Sequence, residues 1–161
     1  MVQNAEWGPH LWRILHICAE KCGKQPTPLL HLDEIRAWIH LLKLTEAILP
    51  CPLCLKHYRE WLKAQPLPAF LEIRSGTAFQ EAAREWVWKL HNRVNEQRSV
   101  GVMPIEEVIE LYREGGASDL NQSLQKLMEV LDRAKLQRQI DGAFLRDWSQ
   151  RLSTLRKFIR V

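Results

Sequence analysis

Apolar residues recur three and four positions apart along nearly the whole chain, and almost nowhere alternate, so the chain is restricted to helices packed on one another. After Leu32 the stretch DEIRAWIHLLKLTEAIL places Ile35, Trp38, Ile39, Leu42 and Ala47 or Ile48 on one helical face, and Pro50 ends it. Gly8-Pro9 precedes a helical run to about Cys22, which Gly23 and Pro26 stop. A third helix starts at the Cys51/Cys54 segment and runs to about Ala64; residues 65–76, which carry Pro66, Pro68 and Gly76, form a connection with room for a short extended piece. Thr77 is positioned to cap a fourth helix through about Gln97, and Pro104 suits the first position of a short fifth helix to Arg113. The expected fold is all-α: a four-helix bundle with a short fifth helix, followed by a C-terminal helical segment.

Gly115-Gly116 divides that segment from the rest, giving a unit over 1–114 and an extension over 115–161. Within the extension Leu120, Leu124, Leu127, Leu131, Ala134, Leu145, Trp148, Leu152, Leu155 and Ile159 form one seam, broken at Arg138 and Asp141, as in a coiled coil or helical hairpin. Such a seam needs a covering surface, in the chain's own bundle, in a second copy or in a substrate protein. The second copy is the expectation here, making the protein a homodimer in which the extension takes part.

Composition narrows the function. No apolar run approaches the roughly 18 residues of a membrane span, and MVQNAEWGPHLW lacks the basic and apolar regions of a secretory signal, so a soluble protein without a membrane partner is expected. The net charge of +4 arises from bases interleaved with acids until the last third, the pattern of a solvated surface rather than of a nucleic-acid partner. Four cysteines in 161 residues are too few for a disulfide scaffold, but their grouping as Cys18/Cys22 and Cys51/Cys54 points to redox chemistry or a metal.

Cys51 lies between Pro50 and Pro52, at the start of a helix, where free amides and the positive end of the helix dipole lower a thiol's pKa. Cys54, one turn inward, can pair with it. Cys18 and Cys22 stand at i and i+4 with Cβ atoms about 5–6 Å apart, whereas a disulfide needs about 3.5–4.5 Å; Cys18 suits a buried free thiol. In the fourth helix Arg84, Trp88, His91, Asn95 and Arg98 share a face, offering a flat ring, hydrogen-bonding edges and positive charge to a planar nucleotide. Trp38 and Trp61 are core candidates, and His31 and His40 suit surface or core positions. An alternative is a zinc module using all four cysteines, with the basic tail on nucleic acid. A structural helical protein assembled through the tail is a third reading.

Three blocks, WGPHLWRILH, CPLCLKHY and WVWKLHNRVN, in this order and covering about residues 6–105, resemble the Erv/ALR family of FAD-linked sulfhydryl oxidases. The resemblance implies FAD in the mouth of the bundle. It assigns FAD contacts to Gly8, Trp12 and His16 in the first helix, to His57 beside the dithiol, and to Trp86, His91, Asn92, Val94 and Asn95 in the fourth. Arg98 takes the place where members often carry a lysine near the phosphates. Cys51 and Cys54 are then catalytic: Cys51 forms the mixed disulfide with a substrate dithiol, Cys54 faces the flavin, and electrons pass to O2 to yield hydrogen peroxide. No metal is implied. The chain has neither the separate shuttle pair nor the structural pair of many members, so its partner is a protein dithiol or a separate dithiol carrier. That minimal layout resembles the oxidases of large DNA viruses and implies a host cytosol or virion, or else the mitochondrial intermembrane space.

Overall fold

The computed structural model describes residues 1–161 and is helical throughout. Its helices are α1 (Asn4–Lys21), α2 (Pro28–Thr45), α3 (Pro52–Ala64), α4 (Gly76–Gln97), α5 (Ile105–Tyr112), α6 (Ala117–Leu136) and α7 (Gly142–Ile159), with 3₁₀ turns at Glu46–Ile48 and Leu67–Glu72. None is long and apolar enough to cross a membrane.

The starts of these helices follow local hydrogen bonding. Gln3 N donates to Glu6 Oε2 at 2.7 Å, so α1 begins at Asn4, five residues before Pro9. Pro9 therefore lies in the second turn, where its missing N–H costs one bond to Ala5. Thr27 Oγ1 accepts from Leu30 N at 3.2 Å with Pro28 in the first position, which starts α2 ahead of the expected Leu32. Ser75, not Thr77, caps α4 through Ala78 N at 3.3 Å. Pro104 is the cap of α5 rather than its first residue, and the 65–76 connection coils into a 3₁₀ turn instead of an extended piece.

α1 lies at the centre, against α4 and α5 on one side and α6 on another. The approach to α4 is set by two glycines. Gly23 has φ +86°, and a Cβ there would stand 2.0 Å from the Gly76 carbonyl oxygen; one on Gly76 would stand 2.1 Å from that of Gly23. Beside this crossing Arg84 reaches the buried carboxylate of Glu20, at 2.7 and 2.8 Å.

α6 and α7 form the hairpin that the break at Arg138 and Asp141 marks. Arg138 takes φ +59°, and Asp141 caps α7 through Ala143 N at 2.7 Å. The seam closes on the chain itself, with α6 on α1 and α7 on α2. Leu120, Leu127, Leu131, Ala134, Leu145, Trp148, Leu152, Leu155 and Ile159 are buried in one core with α1, α2 and α4. This corrects the expectation that the seam serves a second copy: burying it within the chain removes its apolar surface from water without a partner.

Candidate functional site at the dithiol

Cys51 is the N-cap of α3, with Pro52 in the first position, and its sulfur accepts from Cys54 N at 3.1 Å. Cys51 and Cys54 are joined as a disulfide, with Cα atoms 5.2 Å apart. The sulfurs open on a cleft between α1, α3 and the C-terminal end of α4. Trp7, Gly8, Leu11, Trp12 and Leu15 of α1 form one wall; His57 and Tyr58 of α3 form another. Leu90, Arg93, Val94, Gln97 and Arg98, from α4 and its C-cap, complete it. The lining includes two arginines and no carboxylate. A flat apolar ligand carrying an anionic group meets those demands.

Two further observations fit such a ligand. A Cβ built on Gly8 meets nothing within 4 Å, so the helix backbone presents an open face there. The buried Trp7 Nε1 has no hydrogen-bond acceptor in the protein.

Of the residues selected from sequence, Gly8, Trp12, His57, Val94 and Arg98 line this cleft with Cys51 and Cys54; His16, Trp86, His91, Asn92 and Asn95 do not. His91 stacks on Trp12, ring centroids 4.1 Å apart and planes 6° from parallel. His16, behind it, is buried and stacks on Tyr112. Burial and the neighbouring His91 push the His16 pKa down to about 3; burial lowers that of His91 to about 4. Trp86 donates Nε1 to the Gln65 carbonyl at 3.3 Å. The Asn92 amide bonds both main-chain groups of Met103 at 2.8 Å, holding the loop into α5. The Asn95 carbonyl accepts from Val100 N at 2.8 Å and helps close the end of α4. Arg84 and Trp88, placed with them on a nucleotide face, bond Glu20 and the Met103 carbonyl instead.

Sequence reasoning missed several polar lining residues, among them Arg93, Gln97 and Asn4. Arg93 and Gln97 lie in or just beyond the WVWKLHNRVN block, and the Arg93 guanidinium stands 5.9 Å from the Trp61 ring centroid. Asn4, one turn before Gly8 on the same helical face, donates Nδ2 to Cys54 Sγ at 3.4 Å and to Cys51 Sγ at 3.7 Å.

The four cysteines do not converge. Cys18 and Cys22 are buried free thiols within the core, and Cys22 Sγ donates to the Cys18 carbonyl at 3.3 Å. Burial raises the Cys18 pKa to about 12 and raises that of Cys22, to which Glu34 adds. No three His, Cys, Asp or Glu side chains gather to hold a metal ion, so the zinc module has no site.

A helical bundle with a bonded dithiol at a helix start, opening on an apolar cleft rimmed by arginine, defines a class of disulfide-bearing redox proteins with room for a cofactor. More particularly, residues 9–112 match the Erv1/Alr family model, and the chain belongs to that family. It is 29% identical over 108 residues to the FAD-linked sulfhydryl oxidase of African swine fever virus (isolate Pig/Kenya/KEN-50/1950), a match covering 67% of this chain and 81% of the viral one. It is 27% identical over 103 residues to FAD-linked sulfhydryl oxidase ERV1 of Oryza sativa subsp. japonica, covering 64% of this chain and 47% of the rice protein. With the Arabidopsis thaliana protein of the same name identity is 27% over 107 residues. The chain thus spans about half the length of the plant relatives it matches. No solved structure matches it.

Proposed function

We propose that the protein is an FAD-dependent sulfhydryl oxidase that makes disulfides in protein substrates, with residues 1–114 carrying the chemistry and 115–161 completing their frame. The observation that carries this is the Cys51–Cys54 disulfide opening on a cleft with apolar walls and two arginines. Gly8, Trp12, His57 and Val94 would hold the flat part of FAD, and Arg98 with Arg93 its phosphates. His16, Trp86, His91, Asn92 and Asn95 would support it from behind the wall or at the helix end. Bound there, FAD supplies the acceptor for an electron pair and delivers that pair to O2, giving H2O2.

The residues of the chain carry the thiol steps. A substrate thiolate attacks Cys51 Sγ, the Cys51–Cys54 bond breaks, and Cys54 leaves as a thiolate. The second substrate thiol, deprotonated, attacks the mixed disulfide; the substrate disulfide departs and Cys51 takes up a proton. The N-terminal amides of α3 favour the anionic form of Cys51 as leaving group. The electron donor is a dithiol of a protein substrate or of a separate carrier.

Two further parts belong to the same proposal. The protein pairs as a homodimer, to be measured by light scattering. It works in a host cytosol or virion if the chain is viral, and otherwise in the mitochondrial intermembrane space. The central test is flavin absorbance in the purified protein together with O2 consumption driven by dithiothreitol. Cys51→Ser and Cys54→Ser should each abolish turnover while flavin remains bound; turnover in either variant would overturn the dithiol mechanism.

A further inference from the structure

We propose that Asn4 is a catalytic residue of the dithiol centre, its side-chain amide holding negative charge on the Cys54 sulfur, and that the α6–α7 hairpin keeps it there. This rests on the oxidase reading above. The two sulfurs share one donor and differ in a second. Asn4 Nδ2 stands 3.4 Å from Cys54 Sγ and 3.7 Å from Cys51 Sγ, and Cys51 Sγ also accepts from the Cys54 main-chain N–H at 3.1 Å, so Cys54 Sγ depends on Asn4 and Cys51 Sγ does not. Asn4 is the first residue of α1, a position that would fray unless anchored.

The anchors come from the hairpin. Gln139 Oε1 accepts from Val2 N at 3.1 Å, and Gln139 Nε2 donates to the carbonyl of Pro50, the residue before Cys51, also at 3.1 Å. One side-chain amide thus ties the start of α1 to the start of the dithiol segment. Arg133 of α6 adds an ion pair with Glu6 at 2.7 Å, one turn into α1. Asn4, Arg133 and Gln139 all lie outside residues 9–112, which match the family.

The step served is reduction of the disulfide by a substrate dithiol. Two electrons arrive; the Cys51–Cys54 bond breaks and one S–S bond forms in the substrate. Of the two protons released from the substrate thiols, Cys51 retains one and solvent takes the other, so Cys54 remains a thiolate facing the Asn4 amide. A hydrogen bond to an anion is roughly twice as strong as one between neutral groups, so this contact favours the reduced, ionised form.

The test uses the full chain carrying Cys51→Ser, with iodoacetamide labelling of Cys54 followed by mass spectrometry across pH. Asn4→Ala should raise the midpoint of the labelling profile and slow labelling at pH 7 by about 3- to 10-fold, with the rate at high pH unchanged. Asn4→Asp should slow it further, because a carboxylate then faces the sulfur. Gln139→Leu should move the midpoint in the same direction by less. Arg13→Ala, which loosens α1 from α6 through Asp119 away from the sulfurs, should lower the melting temperature and leave the midpoint in place. An unmoved midpoint in Asn4→Ala, or equal slowing at every pH, overturns the assignment. An unmoved midpoint, when the parent protein with Cys51 in place binds flavin and oxidises dithiothreitol, overturns the role of Asn4 alone. A moved midpoint, when that parent protein does neither, overturns the oxidase reading alone.

Discussion

His16 Nε2 and His91 Nδ1 stand 2.9 Å apart, so one ring must donate and the other accept, and the bond requires that both not be protonated. Their pKa values, pushed down to about 3 and about 4, lie below the roughly 6.5 of an unfolded histidine, so the unfolded chain binds more protons between those values. The pair's stabilisation is therefore complete above about pH 6.5 and is lost as pH falls through 4 towards 3. A melting temperature roughly 5–10 °C lower at pH 5 than at pH 7 is expected. His91→Gln can still bond His16 but takes up no proton, and should give a shallower slope. A slope equal to that of the wild type would show that other groups set it.

Glu20 and Arg84 form a two-pronged pair whose side chains are 2% and 14% exposed. Arg84→Ala leaves the carboxylate buried without its partner and should cost about 3–5 kcal/mol in urea unfolding. The double variant Arg84→Met/Glu20→Met should lose less, since no isolated charge remains. If Arg84 instead served ligand binding, the single variant would keep its stability and lose flavin.

The contrast between Arg84 and Arg98 shows where sequence reading stopped. Both lie on one face of the α4 wheel, but 14 positions at about 1.5 Å each separate them by about 21 Å, longer than one site spans. The far end of that face therefore meets Glu20 while the near end meets the dithiol. Helix existence and the Cys51 cap were legible because apolar spacing and proline position are local signals. Asn4 was hidden because Pro9 marks a helix start, and the Gln3–Glu6 bond and the hairpin contacts of Val2 and Glu6 carry α1 past it. Gln139 was hidden because its bonds reach 137 and 89 residues along the chain, which no local pattern encodes.

Cys18 and Cys22 give a counting experiment. Both are buried, with thiol pKa values raised by that burial, so neither presents a thiolate at neutral pH. After reduction, iodoacetamide should label only Cys51 and Cys54 in the folded protein, and all four cysteines in urea. Cys18→Ala/Cys22→Ala should lower stability by about 1–3 kcal/mol through small voids and retain most dithiothreitol oxidation. A large kinetic loss with the fold intact would assign this pair an electron-relay role.

The extension allows two opposite expectations for a chain cut after Gly116. An appended dimerisation segment could be removed with flavin absorbance and dithiothreitol oxidation intact. The packing favours the other outcome. Trp148 is fully buried and donates Nε1 to Thr45 Oγ1 at 3.1 Å, joining α7 to the end of α2 just before the dithiol. Removing the hairpin uncovers the faces of α1 and α2 and takes away the partners of Arg13, Glu6, Val2 and the Pro50 carbonyl. The truncated chain is therefore expected to aggregate or to lose cooperative unfolding. Trp148→Ala, a gentler change, should cost about 3–5 kcal/mol, and Trp148→Phe, which mainly removes the bond to Thr45, about 1–2 kcal/mol. Denaturant unfolding followed by far-UV circular dichroism measures both. A truncated chain with wild-type stability would mean that the α1 and α2 faces need no hairpin, and the tail would return to the role of an interaction segment.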